Sequence, residues 1–132
     1  MEVAPPTIDL DLTYLDLPAL DSRCIGNQEI RHQVLAIMHD TMPNRLVEIR
    51  RAIDNHDLSS VELVAHKLKG AAGDASLLAG RESASCLEQH ACKNQADQIP
   101  DTLVELEARI VATICEIEKL LNQSEPTKKK NQ

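Results

Sequence analysis

The amino-acid sequence predicts an all-α protein, an antiparallel four-helix bundle with a short additional N-terminal helix. Apolar residues recur at three- and four-residue spacing through several long segments, which is the periodicity of helices that bury one face. Aromatic residues are nearly absent, with one Tyr and no Trp or Phe, so the core must consist of aliphatic side chains and Met. That composition favours packed helices over a sheet. The connections are short, which makes consecutive helices antiparallel neighbours.

The two ends of the chain are expected to lie outside the folded domain. Residues 1–7 contain Pro5-Pro6 and are predicted to be a flexible segment. The domain is predicted to span residues 8–122, followed by a disordered tail over residues 123–132. The segment from Ile8 to Arg23 fits either a short helix interrupted near Pro18 or an alternating strand. We favour the helix, because no other segment supplies a convincing strand partner.

The first long helix is predicted from Gln28 to Asn55, with Asn27 as its N-cap. Pro43 lies inside it and removes one backbone donor, so a kink or break is expected near Thr41.

Three further helices complete the bundle. Asp57 or Ser59 can cap the next one, which is predicted to extend as far as Leu78, with Gly80 either ending or loosening it. A third long helix is predicted from Arg81 to about Lys93. Pro100 suits the first position of the last helix, whose apolar stripe continues to Leu121.

Composition excludes several classes of function. The formal net charge of −7 and the single aromatic residue leave neither a phosphate-neutralising surface nor stacking platforms, so nucleic acid is not an expected partner. No apolar run approaches the roughly 20 residues that span a bilayer, so a cytoplasmic protein without direct membrane insertion is expected. Cys86, His90 and Cys92 lack zinc-ligand spacing, so no metal site is predicted. No nucleotide-binding motif is present, so the chain is not expected to be a kinase in its own right.

One histidine is predicted to face water on the helix after Asp57. At about 100° per residue, Val61, Leu68 and Ala72 share one side of this helix, and His66 points the opposite way. Four residues lie beside His66 on that exposed face: Glu62, Lys69, Gly70 and Gly73.

This face suits an imidazole that accepts a phosphoryl group. Lys69 can offset the added negative charge, and Gly70 clears space next to the ring for a partner. A glycine in a helix interior lowers stability by about 1 kcal/mol relative to alanine, so the presence of two glycines in this helix calls for an explanation. The spacing alone leaves the alternative open, namely an ordinary exposed histidine and glycines that allow close helix packing.

The segment from Ala65 to Gly73, Ala-His-Lys-Leu-Lys-Gly-Ala-Ala-Gly, resembles the phospho-acceptor motif of bacterial histidine-phosphotransfer (HPt) domains. The resemblance extends to Pro43 in the upstream helix, to Leu87-Glu88 and to the last helix. It implies that His66 is phosphorylated on Nε2, that Lys69 stabilises the phosphate and that Gly70 gives access. Glu88 would lie near His66 from the neighbouring helix and orient it.

The resemblance also implies the partners. A receiver domain of a hybrid sensor kinase would charge His66, and the receiver of a response regulator would discharge it, with the receivers supplying Mg²⁺ and no cofactor bound here. Met38 at this spacing fits the core better than a docking surface, but in this family the upstream helix lies beside the active histidine, so Leu35 or Met38, where exposed, would help to dock a receiver. The chain would be freestanding or the cytoplasmic end of a membrane-bound sensor kinase. A rival interpretation is a helical adaptor that binds a receiver or kinase without carrying phosphate.

Two positions depart from the family pattern. The family usually has glycine ten residues after the histidine, where this sequence has Ser76, and often leucine four residues later, where it has Gly80. Neither lies on the acceptor face, so both bear on local geometry rather than on function.

Overall fold

The computed structural model describes residues 13–123, and within that range it contains five α-helices and no strand. The helices are α1 (Leu17–Arg23), α2 (Gln28–Asp54), α3 (Leu58–Asp74), α4 (Leu78–Cys92) and α5 (Ile99–Gln123), with a 3₁₀ turn at Ala96–Gln98. The predicted fold class is therefore confirmed. The predicted flexible segment, residues 1–7, and residues 124–132 of the predicted tail lie outside the described residues.

Helices α2 to α5 form a closed bundle. Each packs against the next, α5 returns to α2, and the α3–α4 pair has the most extensive contact. The core between them is aliphatic, as the composition requires, and its largest fully buried side chains come from every long helix: Leu35, Met42, Ile49, Val61, Leu68, Leu87, Leu106, Ile110 and Ile117. The tight α3–α4 pairing matters for function, because it sets the distance between side chains of α3 and side chains of α4 on the solvent-exposed side of the pair.

Helix α1 is attached to the bundle by apolar and polar contacts. Leu20 and Cys24 are buried in the common core. The Asp21 carboxylate accepts a hydrogen bond from the Arg31 guanidinium of α2, with an N–O distance of 3.0 Å. The backbone N–H of Asp16 donates to the carbonyl of Ser76, 2.9 Å away. Helix α1 thereby fastens the turn between α3 and α4.

The predicted caps at the start of α2 and α3 are confirmed. The Asn27 side chain accepts from the backbone N–H groups of Glu29 and Ile30, so two of the free donors of α2 are satisfied. Asp57 accepts from both the hydroxyl and the backbone N–H of Ser60. These bonds, the side-chain bond first, hold the pKa of Asp57 below its ordinary value.

Of the kink or break expected near Thr41, the break does not occur, because α2 is one uninterrupted helix of 27 residues that includes Pro43. The kink stays a prediction. A proline removes one backbone hydrogen bond, but the flanking Met38, Met42 and Leu46 are all buried in the core. Packing on both sides of Pro43 holds the helix together where local propensity would weaken it.

The predicted boundary between α3 and α4 was also wrong. Helix α3 ends at Asp74, four residues before Leu78, and Gly80 is a buried residue in the first turn of α4. The chain reverses at Ser76, whose φ of 59° is left-handed. Ser76 therefore occupies the conformation for which glycine is the usual residue, at the position where the HPt pattern has glycine.

Replacing Ser76 with Gly is expected to stabilise the protein. A left-handed conformation costs a non-glycine residue about 1–2 kcal/mol, and the extra entropy of an unfolded glycine offsets part of this gain. The free energy of unfolding should therefore rise by up to about 1 kcal/mol in a urea titration. The matched control is Ser85→Gly, within α4, which should lower it by a similar amount. Equal destabilisation by both changes would contradict this account.

Candidate functional site

His66 lies in the middle of α3 on its solvent face. Val61, Leu68 and Ala72 point into the core, with at most 1% of their surface exposed, as the periodicity predicts. Ala65 is also fully buried. The His66 side chain is 63% exposed, so it is accessible to a second protein rather than used for packing.

Glu88 of α4 links His66 to Lys69. One of its carboxylate oxygens, Oε2, lies 2.7 Å from Nδ1 of His66, and the other, Oε1, lies 2.6 Å from Nζ of Lys69. Only 18% of the Glu88 side chain is exposed. A carboxylate accepts hydrogen bonds, so Nδ1 of His66 is the protonated nitrogen. In the neutral ring the lone pair then sits on Nε2, which makes Nε2 the nucleophilic atom.

The charge on Glu88 is maintained by its neighbours. The hydrogen bond from Lys69 is the largest cause that holds the pKa of Glu88 below its ordinary value of 4.5, and His66 adds to it, while partial burial acts against both. Because the pKa is lowered in the folded state, this interaction stabilises the fold above pH 4.5 and is lost as the pH falls through the lowered pKa. Glu88 is therefore ionised at neutral pH and can orient the imidazole.

The two glycines of α3 have different surroundings. A Cβ atom added at Gly70 would meet nothing within 4 Å, whereas one added at Gly73 would meet Cδ of Arg81 at 3.3 Å. Close packing of helices therefore does not account for Gly70, and the space beside it is open to solvent. Gly73 instead makes room for the Arg81 side chain, a contact that the sequence alone did not indicate.

Not every predicted residue joins this cluster. Glu62 is half-buried on α3, but within residues 13–123 no hydrogen bond or ion pair connects it to His66. The prediction that Leu35 and Met38 are exposed docking residues was wrong, because they are 0% and 4% exposed and belong to the core. Ile37 of α2 and Leu63 of α3 are instead exposed, at 62% and 54%.

Among residues 13–123 no group of three or more His, Cys, Asp or Glu side chains is arranged to hold a metal ion. Over the same residues, none of the helices combines the length and the apolar character that crossing a bilayer requires.

Comparisons with known proteins agree with the geometry. Residues 33–125 match the family model described as Hpt domain. A solved structure, the HPT domain from the Hpt sensor hybrid histidine kinase of Shewanella, aligns with a TM-score of 0.72 at 17% sequence identity, covering 83% of this chain and 95% of that one. At this identity the likeness supports the fold alone. No curated protein matches the sequence significantly.

Proposed function

This chain belongs to the Hpt domain family, which carries phosphoryl groups in two-component signalling, and from that premise we propose a specific relay for it. His66 accepts a phosphoryl group from the aspartate of a receiver domain in a hybrid sensor kinase. It then passes the group to the aspartate of a response regulator. The observation that carries this proposal is the Glu88 contact, which occupies Nδ1 of His66 and leaves Nε2 free on an exposed face.

The transfer is a displacement at phosphorus. Nε2 of His66 attacks the aspartyl phosphate, a P–N bond forms, and the P–O bond to the aspartate breaks, so the receiver carboxylate leaves. Glu88 stabilises the positive charge that develops on the imidazole, since it accepts from Nδ1 throughout. The reverse reaction discharges His66 to the second receiver. Mg²⁺ on the receiver's own carboxylates would offset charge on the phosphoryl oxygens.

Two further residues assist the approach of the receiver. Gly70 leaves open space next to the imidazole, so a receiver loop can come within bonding distance of Nε2. Leu63, one turn before His66 on α3, offers apolar surface for the receiver to cover. Leu63 thus takes the docking role that the sequence had suggested for Leu35 and Met38.

Lys69→Ala is expected to slow transfer with little effect on folding. Lys69 is held by Glu88 in the resting site and has to reorient toward the phosphoryl oxygens. Its loss should slow transfer by an amount equivalent to about 1–2 kcal/mol, the size of one charge-assisted hydrogen bond. Because the pair is partly exposed, stability should change by less than about 1 kcal/mol.

The same variant tests the ion pair directly. The pKa of Glu88, followed by carboxyl NMR shifts, should rise toward its ordinary value when Lys69 is removed. Lys67→Ala, an exposed lysine on the same helix, is the matched control and should leave that pKa unchanged. An unaltered transfer rate in Lys69→Ala would remove Lys69 from the mechanism.

The relay itself is tested with a panel of purified, phosphorylated receiver domains. We expect at least one of them to label the chain, and the isolated labelled chain to lose its label to a second, unphosphorylated receiver. The label should be acid-labile and stable in base, as a phosphoramidate is. Tight binding of receivers with no transfer of label would instead favour the helical adaptor.

A further inference from the structure

Arg81 is seated on the face of the molecule that carries His66. Its Cδ and Nε atoms lie 3.3 and 3.5 Å from the position that a Cβ of Gly73 would take. A Cβ at position 73 would crowd the Arg81 side chain, so glycine there leaves room for Arg81 to pack beside α3.

The position of Arg81 relative to His66 follows from helix geometry. Glu88 of α4 meets His66 of α3, and Arg81, seven residues before Glu88, meets Gly73, seven residues after His66. Seven residues are nearly two full turns, so both contacts lie on the same side of the α3–α4 pair, about 10 Å apart along the axis. Arg81 therefore lies to one side of the position that a phosphoryl group on Nε2 would take.

The charge of Arg81 is not neutralised by the described part of the chain. Arg81 is exposed, and no carboxylate among residues 13–123 forms an ion pair with it. The other arginine that contacts α4, Arg109, is paired with Glu82 at 2.8 Å. In a chain of net charge −7, Arg81 therefore leaves an uncompensated positive charge beside the acceptor face.

We propose that Arg81 is a partner-recognition residue that pairs with an acidic side chain on the surface of the receiver. The proposal rests on the proposed function, since it needs a receiver docked over His66. A receiver that binds Mg²⁺ through carboxylates carries a cluster of acidic residues at its phosphorylated aspartate, and the field of such a cluster reaches about 10 Å at ordinary ionic strength. A guanidinium beside the acceptor face would attract that cluster and favour one orientation over others. Arg81 therefore affects which receiver is used and how fast it docks, and the bond changes at phosphorus do not involve it.

The test varies the charge at position 81 and measures how fast each of two phosphodonors labels His66. The parent, Arg81→Gln and Arg81→Glu are labelled either by the fastest phosphorylated receiver of the panel or by phosphoramidate. With the receiver, Arg81→Gln should lower kcat/KM about two- to five-fold, as one exposed ion pair would, and Arg81→Glu should lower it further. Added salt should slow the parent more than Arg81→Gln. With phosphoramidate, all three should be labelled at one rate, because this donor makes no contact at Arg81.

Arg51→Gln is the matched control, because Arg51 is an exposed arginine on α2 and the change in net charge is the same. It should leave both rates unchanged. The proposal is overturned if Arg81→Gln is charged by the receiver at the parent rate, if Arg51→Gln is slowed equally, or if phosphoramidate labelling falls in parallel. Failure of the proposed function has a different result, since the parent itself would then take no label from any receiver of the panel, whatever phosphoramidate does.

Discussion

His66→Gln is expected to abolish phosphoryl transfer while the bundle stays folded. The amide of glutamine has no nucleophilic nitrogen lone pair, so no P–N bond can form. His66 is 63% exposed, and a substitution at such a position usually changes stability by less than about 0.5 kcal/mol. Labelling by a phosphorylated receiver and by phosphoramidate should both fall to background. The thermal unfolding midpoint should stay close to that of the parent.

The remaining histidines provide the internal control for this experiment. Among residues 13–123, only His66 combines an exposed ring with Nδ1 held by a half-buried carboxylate, whereas the ring of His39 contacts Glu118 through Nε2. Peptide mapping of the labelled parent should therefore find the phosphoryl group on His66 alone. Label that persists in His66→Gln, or that maps to His32, His39, His56 or His90, would assign the acceptor elsewhere.

Gly70→Gln is expected to block phosphoryl transfer from a receiver while His66 stays able to react with a small phosphodonor. The open space at Gly70 accommodates a side chain, and a better helix former there should add up to about 1 kcal/mol of stability. The glutamine side chain would nevertheless project beside the imidazole and keep a receiver at a distance. Because a misplacement of 1 Å can cost about a hundred-fold in rate, transfer from the receiver should fall by at least that order. Phosphoramidate is small and should still label His66.

Gly70→Ala is the graded control for this prediction. It gives the same gain in helix propensity with only a methyl group, so it should be stabilised and should retain most of its transfer rate. The access account fails if Gly70→Gln melts like the parent and accepts phosphate from the receiver at the parent rate. Unfolding of Gly70→Gln would show instead that Gly70 serves helix packing.

The predictions from sequence succeeded where a pattern has a single physical cause. The helix spacing, the caps at Asn27 and Asp57 and the aliphatic composition each gave the correct structure. The errors arose where tertiary contacts override local preference. Core contacts on both sides of Pro43 keep α2 continuous, and the reversal between α3 and α4 falls on Ser76 rather than near Gly80, the stronger turn signal in the sequence.

In the candidate site, too, the predictions succeeded where one helix decides the outcome and failed where packing between helices decides it. The exposed position of His66 follows from the phase of one helix, and the structure confirms it. The exposure of Leu35 and Met38 was predicted wrongly because α2 carries more apolar residues than one buried stripe can hold. Spacing alone cannot tell which of Leu35 and Ile37 faces the core. The support of Arg81 by Gly73 was not predictable, since it depends on how two helices are set against each other.

The attachment of α1 has a consequence for where the domain can be cut. The family match begins at residue 33, yet Leu20 and Cys24 are almost fully buried in the shared core, and the N–H of Asp16 satisfies the carbonyl of Ser76. A fragment trimmed to residues 33–125 would expose that apolar surface and would lack both α1 and the Asn27 cap. We therefore expect a fragment cut at the boundaries of the family match to be less stable than one that begins upstream of α1.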